Sequence, residues 1–111
     1  RTIKRKEKME LKSRRIKIGN SVWKVKLKDK VNGDNDEYWL GASNLLYKII
    51  EISTKYPNDK DIEYTNKLET YYHEIMHSIF SEGQYFDEEK NEPLVEWVAK
   101  CLAQLKLQDA I

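Results

Sequence analysis

The stretch YHEIMHSIF, residues 72–80, is the most informative part of this 111-residue sequence. Its large apolar side chains recur at spacings of three and four residues, which is the period of an amphipathic helix. The pattern predicts a helix that starts near Tyr64 or Asn66 and ends at Glu82, just before a glycine that favours a helix end. Both histidines of the chain lie beside the apolar stripe, so a hydrophobic core does not require them.

Within this helix, His73, Glu74 and His77 form the motif H-E-x-x-H. Residues four apart lie one turn above each other on the same helix face. Two imidazoles at this spacing can converge on one Zn²⁺ at about 2.0–2.1 Å. Glu74 points to the neighbouring side, where it can reach a metal-bound water without ligating the metal. The motif therefore predicts a zinc site with Glu74 as a general base.

A catalytic zinc site needs a third protein ligand and one open position for water. The chain has no third histidine, and its single cysteine falls on the apolar pattern of the last predicted helix. If the third ligand comes from this chain, we therefore expect a carboxylate. The candidates that follow the motif are Glu82, Asp87, Glu88, Glu89, Glu92 and Glu96.

Glu92 and Glu96 are the favoured pair among these carboxylates. They lie four residues apart at the start of a final predicted helix, which Asn91 caps, while residues 84–91 are predicted to form an acidic loop. If the final helix packs on the zinc helix, Glu92 can ligate the ion and Glu96 can accept a hydrogen bond from a ligating imidazole. The apolar stripe of the final helix is predicted at Leu94, Trp97, Val98, Cys101, Leu102 and Leu105.

The N-terminal half of the chain has the period of β-strands. Two alternating runs around Gly19-Asn20 predict a β-hairpin, in which Trp23, Val25 and Leu27 share one face. The β-branched run at 45–52 predicts a largely buried strand. We therefore expect an α+β fold, with a small antiparallel sheet from residues 14–52 packed on the zinc helix and the final helix closing the site.

Length and composition restrict the class of protein further. A chain of 13.3 kDa with 40% apolar and 35% charged residues is expected to form one domain over residues 1–111, with 1–13 as a flexible basic arm. No apolar run approaches the roughly 20 residues that span a bilayer, and no signal-peptide pattern is present. The single cysteine excludes an internal disulfide framework. A cytoplasmic protein is the expectation.

The net charge of +1 hides an asymmetry between the two parts of the chain. Residues 1–30 carry thirteen Lys or Arg and three Asp or Glu, whereas the remaining residues carry a net charge of −9. Such a basic segment can attract nucleic acid or an acidic protein partner. It can equally be a solvated sheet face, because exposed strand lysines protect sheet edges from aggregation.

His73-Glu74-x-x-His77 followed by Glu92-x-x-x-Glu96 resembles the pattern of the gluzincin metallopeptidases. The segment 92–99 (EPLVEWVA) looks like the corresponding segment of ImmA/IrrE-type peptidases, and closer still to small phage- and prophage-encoded metallopeptidases. By this resemblance, His73, His77 and Glu92 are zinc ligands, Glu74 is the general base and Glu96 is an acid that supports a ligand. The resemblance also implies a protein substrate, such as a regulator or repressor.

These expectations leave several points open. An additional donor to the oxyanion is usually needed; Tyr85 is the first candidate, with Tyr38 and Tyr47 as alternatives. The strand at 45–52 is expected to align a peptide substrate as an added β-strand. The competing hypothesis is a non-catalytic zinc-containing module whose basic N-terminal part contacts nucleic acid or an acidic protein. A peptidase that acts on a DNA-bound regulator would combine the two.

Overall fold

The computed structural model describes residues 10–111. Most of the predicted basic arm, residues 1–9, lies outside the described residues. Within the described part, no helix combines the length and the apolar character that crossing a membrane requires. The elements in chain order are β1 (Arg14–Ile18), β2 (Ser21–Lys28), β3 (Val31–Asn32), a 3₁₀ turn (Asp34–Asp36), β4 (Tyr38–Trp39), β5 (Gly41–Asn44), β6 (Ile49–Ser53), α1 (Tyr64–Glu82), α2 (Phe86–Glu89) and α3 (Glu92–Leu107).

The α+β class is confirmed, but the sheet is mixed rather than wholly antiparallel. Its strand order is β1-β2-β6-β5, and β2 pairs with β6 in parallel. After the separate β3–β4 ribbon, strand β5 runs back along the sheet, so β6 enters beside β2 in the same direction as β2. Strand β5 forms an antiparallel hairpin with β6 and lies at the edge of the sheet.

The predicted N-terminal hairpin is confirmed. Gly19 has a φ of +58°, which the tight turn between β1 and β2 requires and which glycine adopts at little cost. Trp23 and Val25 are buried against α1 on the inner face of β2, whereas Lys24 and Lys26 on the alternate face are exposed. The core between the sheet and α1 consists of Trp23, Val25, Ile50 and Ile52 from the strands and Ile75 from the helix.

The strand predicted at 45–52 is wrong in its first half. Residues 45–48 form the turn between β5 and β6, and Lys48 adopts a left-handed φ of 58°. The Asn44 side chain accepts a hydrogen bond from the Tyr47 backbone N–H at 2.9 Å, which is typical of an asparagine that starts a turn. The edge strand beside the helices is therefore β5, and β6 is an interior strand.

Helix α1 lies between the sheet and α3. Its bounds match the prediction, and Asn91 caps α3 by accepting from the Leu94 backbone N–H at 3.2 Å. The predicted apolar stripe of α3 is wrong in part, because Trp97 is 65% exposed. The buried positions of α3 are Val95, Ala99 and Ala103. These small side chains let the backbones of α1 and α3 approach closely, which brings the start of α3 over the H-E-x-x-H turn.

Candidate metal centre

The two histidines of α1 point their rings towards each other. The ring centroids of His73 and His77 are 4.9 Å apart, and their Nε2 atoms are separated by 3.2 Å. This proximity follows from the four-residue spacing, which places both side chains on one face one turn apart. Two unprotonated ring nitrogens at this distance repel each other, whereas a shared cation would hold both.

Glu92, in the first turn of α3, faces both histidines. Its Oε2 lies 3.1 Å from His73 Nε2, and its Oε1 lies 3.1 Å from His77 Nε2. A tetrahedral ion with bonds of about 2.0–2.1 Å separates its ligand atoms by about 3.3–3.4 Å, close to the 3.2 Å between the two Nε2 atoms and to the 3.1 Å from each of them to the nearer Glu92 oxygen. The group His73, His77 and Glu92 could therefore hold a metal ion. The three ligand atoms would occupy one side of the ion and leave a coordination position open.

Glu89 holds His77 from the opposite side of its ring. Its Oε2 lies 2.8 Å from His77 Nδ1, and both side chains are largely buried. With the proton on Nδ1 donated to Glu89, the Nε2 lone pair of His77 is directed at the metal position. The sequence pattern predicts a loop for Glu89 and makes it one of the possible third ligands. In the structure, residues 86–89 form the helical turn α2, and Glu89 contacts the other ring nitrogen.

Glu96 lies farther from the histidines than expected. Its Oε2 is 3.9 Å from His73 Nδ1, which is too long for a hydrogen bond, and its side chain is 71% exposed. The acid that hydrogen-bonds a ligating imidazole is therefore Glu89, which contacts His77. Glu96 lies near His73 within the distance of an ion pair. The sequence could not show which of the two acids makes this hydrogen bond, because both follow the motif in the same acidic stretch.

Glu74 is a buried carboxylate beside the triad. Its Oε1 accepts a hydrogen bond from Ser43 Oγ at 2.8 Å, and only 8% of the residue is exposed. Burial raises the pKa of Glu74, and the hydrogen bond from Ser43 opposes this shift. Ser43 belongs to β5, so the edge strand of the sheet positions the candidate base. No motif in the sequence pointed to this serine.

A close approach between β5 and α1 makes the Ser43–Glu74 contact possible. A Cβ atom added at Gly41 would lie 2.6 Å from Thr70 Cγ2 and 3.3 Å from Glu74 Cγ. A larger residue at Gly41 would therefore push the strand away from the helix. The absence of a side chain there lets Ser43 reach the carboxylate.

A cleft of about 760 Å³ adjoins the candidate metal position. Its floor is α1, one wall comes from β4 and β5, and the other comes from the first turns of α3. A smaller hollow of about 300 Å³ lies on the other side of Glu74 and reaches Ser43 and Glu89. Both spaces are lined by Trp39, Gly41, His73, Glu74 and Glu92.

The tyrosines named as oxyanion donors occupy different surroundings. Tyr85 is 60% exposed and its ring packs beside Gly83, while Tyr47 is 71% exposed in the β5–β6 turn. Tyr38 lines the cleft, but its hydroxyl donates to the Lys55 carbonyl at 2.8 Å. The role of Tyr85 stays a prediction, and the positions of these hydroxyls give it no support.

Comparison of the chain with family models, curated proteins and solved structures finds no match. The function has to be inferred from the geometry of the site itself.

Proposed function

We propose that this protein is a zinc-dependent peptidase. The observation that carries the proposal is the juxtaposition of His73, His77 and Glu92, each of which offers one ligand atom within 4.8 Å of the others, next to a buried glutamate. Two imidazoles and one carboxylate with an open position are the donor set of catalytic zinc sites. The similarity to the gluzincin pattern supports the same assignment.

Zinc bound at this position would lower the pKa of a coordinated water towards about 7 and would polarise the scissile carbonyl. Glu74 lines the same cavities as His73 and Glu92, so its carboxylate is placed to accept a proton from the attacking water. The same carboxyl group can then pass that proton to the leaving amine. Ser43 keeps one oxygen of Glu74 occupied, which leaves the other oxygen free for this proton transfer.

The substrate would lie along β5. This strand pairs only with β6 among the described residues, so its other edge is open to an added strand. An extended peptide bonded to β5 would pass over α1 at the level of Glu74, because Ser43 contacts that residue. This alignment replaces the one predicted on residues 45–52.

The test is the substitution Glu74→Gln, with zinc content and hydrolysis measured on the same preparation. We expect the variant to retain one equivalent of zinc and to lose about 10²–10⁴-fold in kcat/KM on a peptide library read by mass spectrometry. The substitution Asp87→Asn, on the exposed side of α2, is the matched control and should retain full activity. Full hydrolysis by Glu74→Gln, purified separately from any contaminating peptidase, would disprove the assignment.

A second candidate function rests on the outer face of the sheet. Arg15 and Lys24 are direct partners across β1 and β2, and with Lys17 and Lys26 they form an exposed basic face. Such a face could bind nucleic acid or an acidic protein. DNA binding that weakens steeply with salt and is unchanged in the His73→Ala/His77→Ala double variant would favour this alternative.

A further inference from the structure

The cleft beside the candidate metal centre has a definite length and direction. It runs from His73 along α1 towards Asn66, a distance of about 10 Å for seven helical residues. Glu69 lies between them, one turn before His73 on the same helix face. Tyr56 also lines the cleft, and its hydroxyl donates to a Glu63 oxygen at 2.7 Å and accepts from Asn66 Nδ2 at 3.0 Å. A long side chain that enters beside the metal position would reach Glu69 before it reached Asn66.

The charges that line the cleft have one sign. Four acidic side chains line the cleft: Glu69, Glu74, Glu92 and Glu96. His73 also lines it, and the described residues of the lining include no lysine or arginine. These carboxylates outnumber the two positive charges that a zinc ion would bring. The potential inside the cleft therefore favours a cation even when the metal position is filled.

Glu69 is the one of these four carboxylates that has neither a metal-binding role nor a hydrogen bond or ion pair with another polar side chain among the described residues. Glu92 belongs to the ligand group, Glu74 is bonded to Ser43 and Glu96 stands near His73 Nδ1. In the chain from residue 10 onwards, the Glu69 side chain has no hydrogen bond or ion pair, although it is half-buried. An apolar side chain that covered such a carboxylate would remove its hydrating water without supplying a partner, and this desolvation costs free energy.

Aromatic side chains of β4 form part of another wall of the cleft. Trp39 packs directly over Gly33, where an added side chain would collide with the indole, and 37% of the residue stays exposed. Tyr38 and Leu40 continue this wall. A planar guanidinium can stack on such a ring while its N–H groups donate to a carboxylate.

We propose that this cleft is a specificity pocket for a basic side chain of the substrate, arginine above all, with Glu69 as its anionic partner. The inference rests on the proposed peptidase function and names the substrate class that the site would select. Binding would place the guanidinium between Trp39 and Glu69, about one helical turn from the metal position.

The experiment uses peptide pairs that differ only in one residue, arginine or its neutral isostere citrulline. We expect the wild-type protein to cleave the arginine peptide at least tenfold faster in kcat/KM. The substitution Glu69→Gln should abolish this preference, so that the two peptides react at similar rates. Asp87→Asn, which removes one exposed acid outside the cleft, should retain the preference.

A binding measurement separates the failure of this inference from the failure of the proposed function. The zinc-loaded Glu74→Gln protein is titrated with the same peptides by calorimetry, alone and combined with Glu69→Gln. Tighter binding of arginine than of citrulline peptides, lost with Glu69→Gln, supports the pocket even if no peptide is cleaved. Cleavage with no arginine preference, an equal loss for both peptides in Glu69→Gln, or no binding of either peptide would each overturn the inference.

Discussion

Glu89 Oε2 lies 2.8 Å from His77 Nδ1, on the side of the imidazole ring opposite to Glu92. The ring of His77 is thus held between two carboxylates that come from neighbouring elements, α2 and α3. This contact fixes both the orientation of the ring and the nitrogen that carries its proton.

Removing the Glu89 carboxylate should weaken metal binding without removing a ligand. We expect Glu89→Gln to raise the Kd for zinc about 10–100-fold, because His77 would lose the charged acceptor that orients its ring and makes it a stronger ligand. Competition with a chromogenic chelator measures this shift. The control is Glu88→Gln on the same helical turn, and an unchanged Kd in Glu89→Gln would show that the contact does not matter for the metal.

Ser43 should affect catalysis and leave metal binding intact. Replacing it by alanine removes the hydrogen bond that holds Glu74 Oε1, so the carboxylate would lose its fixed orientation. We expect Ser43→Ala to lower kcat about tenfold, with zinc content and KM close to wild type. Ser81→Ala makes the same chemical change outside the site. A variant with loss of zinc instead of loss of kcat would contradict this positioning role.

Glu82 should make stability depend on acid pH. Its carboxylate accepts hydrogen bonds from Lys48 Nζ at 2.6 Å, Trp23 Nε1 at 2.9 Å and Ser21 Oγ at 2.9 Å. The hydrogen bond from Lys48 is the main reason that the pKa of Glu82 lies below its usual value of 4.5. Because the folded pKa is depressed, this contribution is present above pH 4.5 and is lost as the pH falls through the folded pKa.

The matching experiment compares the wild-type protein with Glu82→Gln in urea at several pH values. At pH 7 we expect the variant to be less stable by about 1–3 kcal/mol, since three donors lose a charged acceptor. The difference between the two proteins should shrink as the pH falls from 5 to 3. A gap that stays constant over this range would mean that the carboxylate charge is not responsible.

The packing of Gly41 against α1 predicts a rescue experiment. Gly41→Ala should destabilise the protein by about 1–3 kcal/mol, because the new methyl group would overlap Thr70 Cγ2. Thr70→Ser removes that Cγ2 atom, so the double variant should regain part of the loss. Denaturant midpoints of the four proteins measure the coupling, and purely additive effects would exclude this contact as the cause.

The sequence predicted the structure correctly wherever an element depends on residues that are neighbours in the chain. The bounds of α1, the hairpin at Gly19-Asn20 and the cap at Asn91 were each predicted correctly, since each depends on neighbouring residues. The spacing of His73 and His77 also defines their geometry without any tertiary information.

The errors arose where long-range packing decides the outcome. Residues 45–48 have the composition of a strand, but the Asn44 side chain and the left-handed Lys48 form a turn there. The parallel pairing of β2 with β6 could not be foreseen from the alternation of side chains, which is the same in both pairing directions. Trp97 follows the apolar period of α3, yet the smaller Val95 and Ala99 are the residues that face α1.

The site was only partly visible for the same reason. The residues His73, Glu74, His77 and Glu92 could be proposed from spacing and chemistry. Ser43 could not, and Glu89 was a candidate ligand but not the expected partner of His77, because each approaches the motif from an element whose position depends on the whole fold.

The position of Glu92 has a consequence for the ion-free protein. His77 and Glu92 are 15 positions apart in the chain, and an ion held by both would tie the end of α1 to the start of α3 like a reversible cross-link. Chelation would release that tie, so amide hydrogens in residues 83–92 should exchange faster with solvent while those of the sheet stay protected. The exchange rate of this one connecting segment would then depend on whether a metal ion is bound.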